Sequence, residues 1–364
     1  MITRFNLKRF PTQTARFVAA VIAFTSGNYS LLADEMPARG LVGLEPTLAK
    51  FEPPTGQVYH GASLSQTWNS KGLSQEMLQF REAAGKDVSF VTWFAGVYEN
   101  GRISSWKGNY ASTLARVHSL GAASLIKFST QDYSYNQTRK AAELKRISQG
   151  MFDSYFEEFA GTVKDFGAPV FISIDHEMNG NWYPYSQAYP GSQSTAADYI
   201  TAWRHVVDIF RQKGVRNVAW VWSPSVTDVG GVAASAYYPG NDYVDWIGVS
   251  FYSSNKVTAL DTLYRAYSQN KPFFITEWAT NIDKSRFNPG YTSNAAWVKQ
   301  FFEALETRYG RVKAISWFQW DMADGNYLLQ RDLKQQAIYA RHIKKDRYVG
   351  KSDQLVKPIS AGTK

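Results

Sequence analysis

Short apolar runs recur along this chain, and longer amphipathic stretches fill the intervals between them. The runs cover 57–62, 88–94, 123–128, 170–174, 218–222, 246–251, 273–276 and 314–320. Runs of this length, bounded by polar turns, predict strands buried on both faces. The intervening stretches include 74–83, 147–166, 196–213, 260–269, 294–308 and 333–345, with apolar residues at helical spacing. Gly85, Gly121, Gly167 and Gly214 each fall just past a periodic segment, where a helix closes on a left-handed residue. The interval 222–243 lacks a period and carries turn signals at Gly230-Gly231 and Pro239-Gly240. Eight strand–helix units predict an α/β fold, a single (β/α)8 TIM barrel. A doubly wound open sheet would show a glycine-rich phosphate turn after its first strand, and here that turn reads H-G-A-S-L-S.

The flanks read differently. Basic residues, an apolar run at 17–24 and a small residue at Ala33 predict a signal peptide over 1–33, cleaved before Asp34, and so a secreted or periplasmic protein. A lead-in over 34–56, a barrel domain over 57–346 and a basic tail over 347–364, expected as a solvated end, complete the division. No segment approaches the ~20 apolar residues of a membrane span, and a monomer is expected.

Composition changes this picture little, and charge changes it only after it is divided. The formal charge is +9. Residues 1–33 contribute +4 and residues 331–364 contribute +6, which leaves −1 on 34–330. A nearly neutral body argues against a surface that tracks nucleic-acid phosphates. The absence of cysteine removes disulfides, thiolate nucleophiles and cysteine-ligated zinc. The five histidines form no H-E-x-x-H pair, and neither a P-loop nor a G-x-S-x-G elbow occurs. No metal and no cofactor is expected. Aromatic residues make up 15% of the chain, with 12 Trp; most such residues belong to a core.

Barrel enzymes work at the C-terminal ends of their strands. The fourth predicted strand ends in His176-Glu177 and the seventh in Glu277-Trp278. Tyr252 ends the sixth strand, Trp320 the eighth and Trp93 the second, while Trp182 follows the fourth in D-H-E-M-N-G-N-W-Y-P-Y-S. Two carboxylates across the mouth of a barrel suit glycosidic-bond cleavage, one protonated to serve the leaving oxygen and one ionised to meet the oxocarbenium-like carbon. Their spacing does not say which is which. Indole faces stack on the C–H faces of sugars, so Trp93, Trp182, Trp278 and Trp320 are candidate groove walls.

Three strings, D-H-E-M-N-G-N-W-Y-P-Y, Y-Y-P-G-N-D-Y-V-D-W-I-G-V-S-F-Y and F-F-I-T-E-W-A, resemble glycoside hydrolase family 26, the β-mannanase-like family of the retaining (β/α)8 clan. The resemblance spans roughly 57–345. It implies Glu177 as general acid/base and Glu277 as nucleophile. His176 would orient Glu177 or touch the sugar, Trp182 would line a subsite, Tyr252 would donate to Glu277, and Trp320 would floor the groove. Phe94, Ser173 and Ser250 depart from the family's usual His, Arg and Asp. The expected substrate is therefore a β-linked polysaccharide in general: mannan or glucomannan, mixed-linkage glucan, β-1,3-xylan or an exopolysaccharide. The same departures motivate an alternative, a weakly active sugar-binding barrel in polysaccharide assembly or export.

Overall fold

A computed structural model describes residues 48–99, 101–132, 143–281, 293–323 and 325–358. The expected signal segment 1–33, most of the lead-in and the last six residues lie outside that set. Eight parallel strands form the centre: β1 (Val58–Leu64), β2 (Phe90–Glu99), β3 (Ala123–Asp132), β4 (Val170–Ile174), β5 (Val218–Trp222), β6 (Trp246–Tyr252), β7 (Phe273–Ala279) and β8 (Val312–Gln319). Each pairs with its sequence neighbour, and β1 pairs with both β2 and β8, so the sheet closes into a barrel. The outer layer is α1 (Ser70–Ala84), α2 (Ala111–Ser119), α3 (Asp153–Phe166), α4 (Ala196–Gln212), α5 (Asp261–Tyr267), α6 (Asn294–Thr307) and α7 (Leu333–Ile343). Between β5 and β6 the chain makes only short 3₁₀ turns at Ala234–Tyr237 and Asn241–Tyr243, as the missing period of 222–243 implies.

Local chemistry sets the helix ends. Asn69 caps α1, Asp332 caps α7, and Thr195 with Asp198 forms a reciprocal capping box on α4. The four expected closing glycines all have φ between 69° and 79°. The predicted helix 147–166 is broken: Leu144–Ser148 is one turn, α3 begins at Asp153, and Gly150, at φ 84°, turns the chain between them.

Strand residues alternate between two cores. One face packs outward on the helices. The other fills the barrel floor with Tyr59, Phe90, Leu125, Phe171, Val221, Trp246 and Phe274, all buried. Higher up, the interior becomes polar: Thr92 Oγ1 lies 2.8 Å from Ser316 Oγ, and Ser223 Oγ lies 2.7 Å from Thr276 Oγ1. The segments that flank the barrel close the floor. Glu52 is 1% exposed and pairs with Arg311 at 2.6 Å, Trp246 Nε1–H donates to the Lys50 carbonyl at 2.8 Å, and Phe51 meets Phe171 edge-on. At the other end Tyr348 and Val349 pair with β1, and Leu355 is fully buried in the floor. Within this stretch Leu355 and Val349 pack on the barrel interior rather than standing in solvent, while Lys351, Asp353, Gln354 and Lys357 are exposed.

Candidate active site

The register places one wall of the mouth by parity. On β3, Ala123 and Leu125 point inward, and the next inward position is Lys127. On β6 the inward series is Trp246, Gly248, Ser250 and Tyr252. On β7 simple alternation would turn Glu277 outward, since Phe274 and Thr276 face in. The pairing shows why it does not: Val249 pairs with Ile275 but Ser250 pairs with Glu277, leaving Thr276 as an extra residue. This β-bulge re-aims the strand end, so that Glu277 joins Thr276 inside and Trp278 faces the helices.

At the end of β4 the backbone itself turns. Asp175 and Glu177 have φ of 45° and 56°, a region that non-glycine residues occupy at a cost of about 1–3 kcal/mol each. Both are anchored: Asp175 N–H donates to the Phe128 carbonyl at 2.8 Å and Glu177 N–H to the Ser223 carbonyl at 2.7 Å. The loop that follows is tied to its neighbour by Asn179, whose Nδ2 donates to the Ser225 carbonyl at 3.0 Å and to Asp228 at 2.8 Å, while its Oδ1 accepts from Ser225 N–H at 2.8 Å. Gly180 makes room for an indole: a Cβ there would stand 2.4 Å from the Trp182 ring. Trp182 can then lie across the loop and donate its Nε1–H to Glu177 Oε2 at 2.8 Å. The M-N-G-N-W spacing is thereby a device for aiming one hydrogen bond.

The two glutamates are both buried, Glu177 at 9% and Glu277 at 4% exposure, in unlike surroundings. Burial pushes the Glu177 carboxyl above its usual range, and the charge of Glu277 pushes it further; Lys127 and the Trp182 hydrogen bond act the other way. Glu277 sits between two donors. The Tyr252 hydroxyl donates to its Oε2 at 2.8 Å, and the Lys127 ammonium lies 2.8 Å from its Oε1. Lys127 is fully buried and also reaches Ser250 Oγ at 3.3 Å. The Tyr252 phenol is raised well above its ordinary value, first by burial and then by the charge of Glu277, so it remains a donor. This arrangement provides one carboxyl biased towards its protonated form and one flanked by a cation and a phenol.

Half-buried aromatics surround the pair. Trp320 stacks on Phe318 with centroids 5.6 Å apart, meets Phe94 edge-on at 5.8 Å, and donates Nε1–H to Ser63 Oγ at 3.1 Å. The structure therefore brings Glu177, Glu277, Trp182, Tyr252 and Trp320 together.

Three expectations are corrected. Trp93, 1% exposed, packs outward against Trp106 and Tyr110. Trp278, 0% exposed, lies among Phe301, Trp317 and Tyr339. Both stand on the helix-facing parity of their strands, so neither indole can meet a sugar. His176 is 1% exposed, held between Phe94 and Tyr183, with Nε2 3.2 Å from the Tyr183 hydroxyl. Burial and then the Lys127 charge hold it far below the usual imidazole range. It supports Tyr183 as a neutral ring and is itself closed off from solvent.

Sequence reading missed Lys127 because it falls inside a run taken as apolar. The signal was present: a lysine at the parity of Ala123 and Leu125 must point its ammonium into the barrel and so requires a carboxylate there. Among the described residues no group of three or more His, Cys, Asp or Glu side chains is arranged to hold a metal.

Comparison with known proteins agrees with this geometry. Endoglucanase H of Acetivibrio thermocellus is 28% identical over 253 residues, covering 66% of this chain and 26% of its own length. Mannan endo-1,4-beta-mannosidase A and B of Caldalkalibacillus mannanilyticus is 25% identical over 215 residues, covering 55% and 39% respectively. The chain thus spans well under half the length of these curated relatives. The solved YdhT protein from Bacillus subtilis superposes with a TM-score of 0.58 at 16% identity, covering 86% of this chain and 92% of that one, which is a likeness of fold. The model of Glycosyl hydrolase family 26 matches residues 122–315. That span is over half of the chain and holds Lys127, Glu177, Tyr252 and Glu277, and on it this chain belongs to glycosyl hydrolase family 26.

Proposed function

We infer that this chain is a retaining endo-β-glycosidase that hydrolyses a β-linked polysaccharide by double displacement. The observation that carries the reading is the unlike pair of buried glutamates at the ends of β4 and β7. Burial and the neighbouring Glu277 charge favour a protonated Glu177, the form that a general acid needs. Glu277 has Lys127 and Tyr252 as partners, the setting of an anionic nucleophile.

In the first half-reaction Glu277 attacks the anomeric carbon while the bond to the leaving sugar breaks. The electron pair departs on the glycosidic oxygen, which takes the proton of Glu177. In the second, Glu177, now a carboxylate, takes a proton from water as the water oxygen attacks the same carbon and Glu277 leaves. Trp182 steadies Glu177 in both states through Nε1–H, and Trp320 offers the face on which the cleaved sugar would stack.

Similarity to an endoglucanase and a mannosidase supports a polymer with β-linkages and leaves its sugar to be measured. We also propose export through residues 1–33, since a polymer substrate lies outside the cell, and action as a monomer.

The test is release of reducing ends from mannan, glucomannan, mixed-linkage glucan, β-1,3-xylan and exopolysaccharide. The Glu277→Ala variant should lose about 10³-fold or more in rate. Azide should restore cleavage of an activated substrate in that variant and give the inverted glycosyl azide. Binding without release on every polymer would replace this reading with that of a sugar-binding barrel.

A further inference from the structure

We propose that Lys127 is the positioning residue of the nucleophile, holding Glu277 Oε1 inside the barrel and leaving Oε2, beneath the Tyr252 hydroxyl, as the oxygen that attacks the sugar. This rests on the glycosidase reading above and adds to it which atom reacts and what fixes it. The two oxygens of a carboxylate are equivalent until their partners differ. Here they differ in kind and in position. Oε1 is a buried atom with the ammonium of β3 at 2.8 Å; Oε2 faces the phenol of β6 at 2.8 Å. Three strands thus fix the carboxylate plane, and the oxygen turned towards the interior has no path to a polymer in the groove.

The charges require the same arrangement. An ammonium with no exposed surface is costly without a counter-charge, by several kcal/mol in real proteins. Among the described residues Glu277 is the carboxylate that Lys127 pairs with. The charged and titratable groups of the site are Lys127 from β3, Glu177 and His176 from the turn after β4, and Tyr252 from β6, with Tyr327 beyond β8 acting on Tyr252. Burial keeps His176 neutral and Tyr252 protonated, so Lys127 supplies the positive charge of the site.

The arrangement also serves both half-reactions. When Oε2 bonds to the anomeric carbon, Glu277 becomes a neutral ester and Glu177, having given up its proton, becomes the carboxylate. The site holds one negative charge before the step and one after it. The fixed ammonium, whose charge also acts on Glu177, stays compensated throughout, and no ion has to enter or leave a closed interior.

The experiment compares wild type with Lys127→Met, a neutral side chain of similar length. On the polymer that wild type cleaves, we expect kcat to fall about 100-fold, the scale of losing one preorganised electrostatic partner. KM should stay within about threefold, since Lys127 touches no substrate. The acidic limb of the kcat/KM profile should move to higher pH, because the carboxylate has lost its cation. Carbon-13 NMR of the glutamate carboxyls reads the same coupling without turnover: the Glu277 signal should titrate at higher pH in the variant. If wild type cleaves nothing, the glycosidase reading falls while this titration still tests Lys127.

Unchanged kcat together with an unchanged Glu277 titration would overturn the proposal. Should Lys127→Met unfold, the double variant Lys127→Met/Glu277→Gln decides, since it removes both charges. A melting temperature recovered relative to Lys127→Met supports the pair. Equal collapse of both variants means that Lys127 only fills space, and overturns it.

Discussion

A glutamate offers chemistry in two protonation states, and its surroundings choose between them. At Glu177 the contest is between burial and the Glu277 charge on one side and Lys127 and the Trp182 indole on the other. Trp182 donates to the carboxylate form and so favours loss of the proton. Replacing it with Phe should therefore raise the Glu177 pKa. On the proposed mechanism Glu177 must hold its proton when the glycosidic bond breaks, so the basic limb of kcat/KM should move to higher pH in Trp182→Phe. A basic limb that stays in place or moves down would refute this role for the indole. Residue identity alone made the two carboxyls and four of the tryptophans candidates. It could not separate Trp182 and Trp320, which stand half-buried at the mouth, from Trp93 and Trp278, which fill the helix-facing core. That choice depends on which side of a strand each residue falls.

Elements decide such sides, and here two irregularities do so. The bulge at Thr276 swaps the parity of β7, so that Glu277 enters the barrel where regular alternation would have placed it among the helices. Periodicity located the strand, whose observed span Phe273–Ala279 contains the expected 273–276, but an inserted residue leaves no mark in a run such as F-F-I-T-E-W-A. The loop after β4 is more legible, because its glycine has a steric reason. In Gly180→Ala the new methyl would meet the Trp182 ring at 2.4 Å, and the indole must move because Gly180 does not require a left-handed backbone. We expect kcat to fall by about 10- to 100-fold, the loss of one charge-assisted hydrogen bond, with the melting temperature within a few degrees of wild type. Full activity in Gly180→Ala would show that the indole bond to Glu177 is dispensable.

Across the whole molecule, stability and the site share buried charge. Asp175 is fully buried at the end of β4 and accepts from Thr130 N–H at 2.7 Å and from the Thr130 hydroxyl at 2.9 Å. Burial nevertheless raises its carboxyl from 3.8 to about 7. A carboxyl that is protonated more readily in the folded state stabilises the fold below its unfolded value, and the stabilisation is lost as pH rises through the folded value. Asp175 should therefore contribute a loss of stability between about pH 4 and pH 7, of roughly 4 kcal/mol as an upper scale. Asp175→Asn keeps an acceptor for Thr130 N–H and has no proton to exchange. Its melting temperature should vary less over that window than that of wild type, and a slope equal to wild type would remove Asp175 as the cause.

The architecture is legible in the local pattern of the chain. Eight apolar runs separated by amphipathic stretches, with glycines where helices close, leave a closed parallel barrel as the way to bury every strand on both faces. It also placed Glu177 and Glu277 at strand ends, since D-H-E and E-W follow directly on apolar runs. What those ends meet is set by contacts between strands far apart in the chain. The bulge turns Glu277 inward, closure of β1 on β8 brings Ser63 to the Trp320 indole, and the inward parity of β3 carries Lys127 to a carboxylate 150 positions away in the chain. Tertiary packing, too, drew the segments flanking the barrel across the floor, where Leu355 and the Glu52–Arg311 pair close the interior. Periodicity is a local property that each segment carries alone, whereas register, bulges and buried charge pairs exist only between segments, once the barrel has closed.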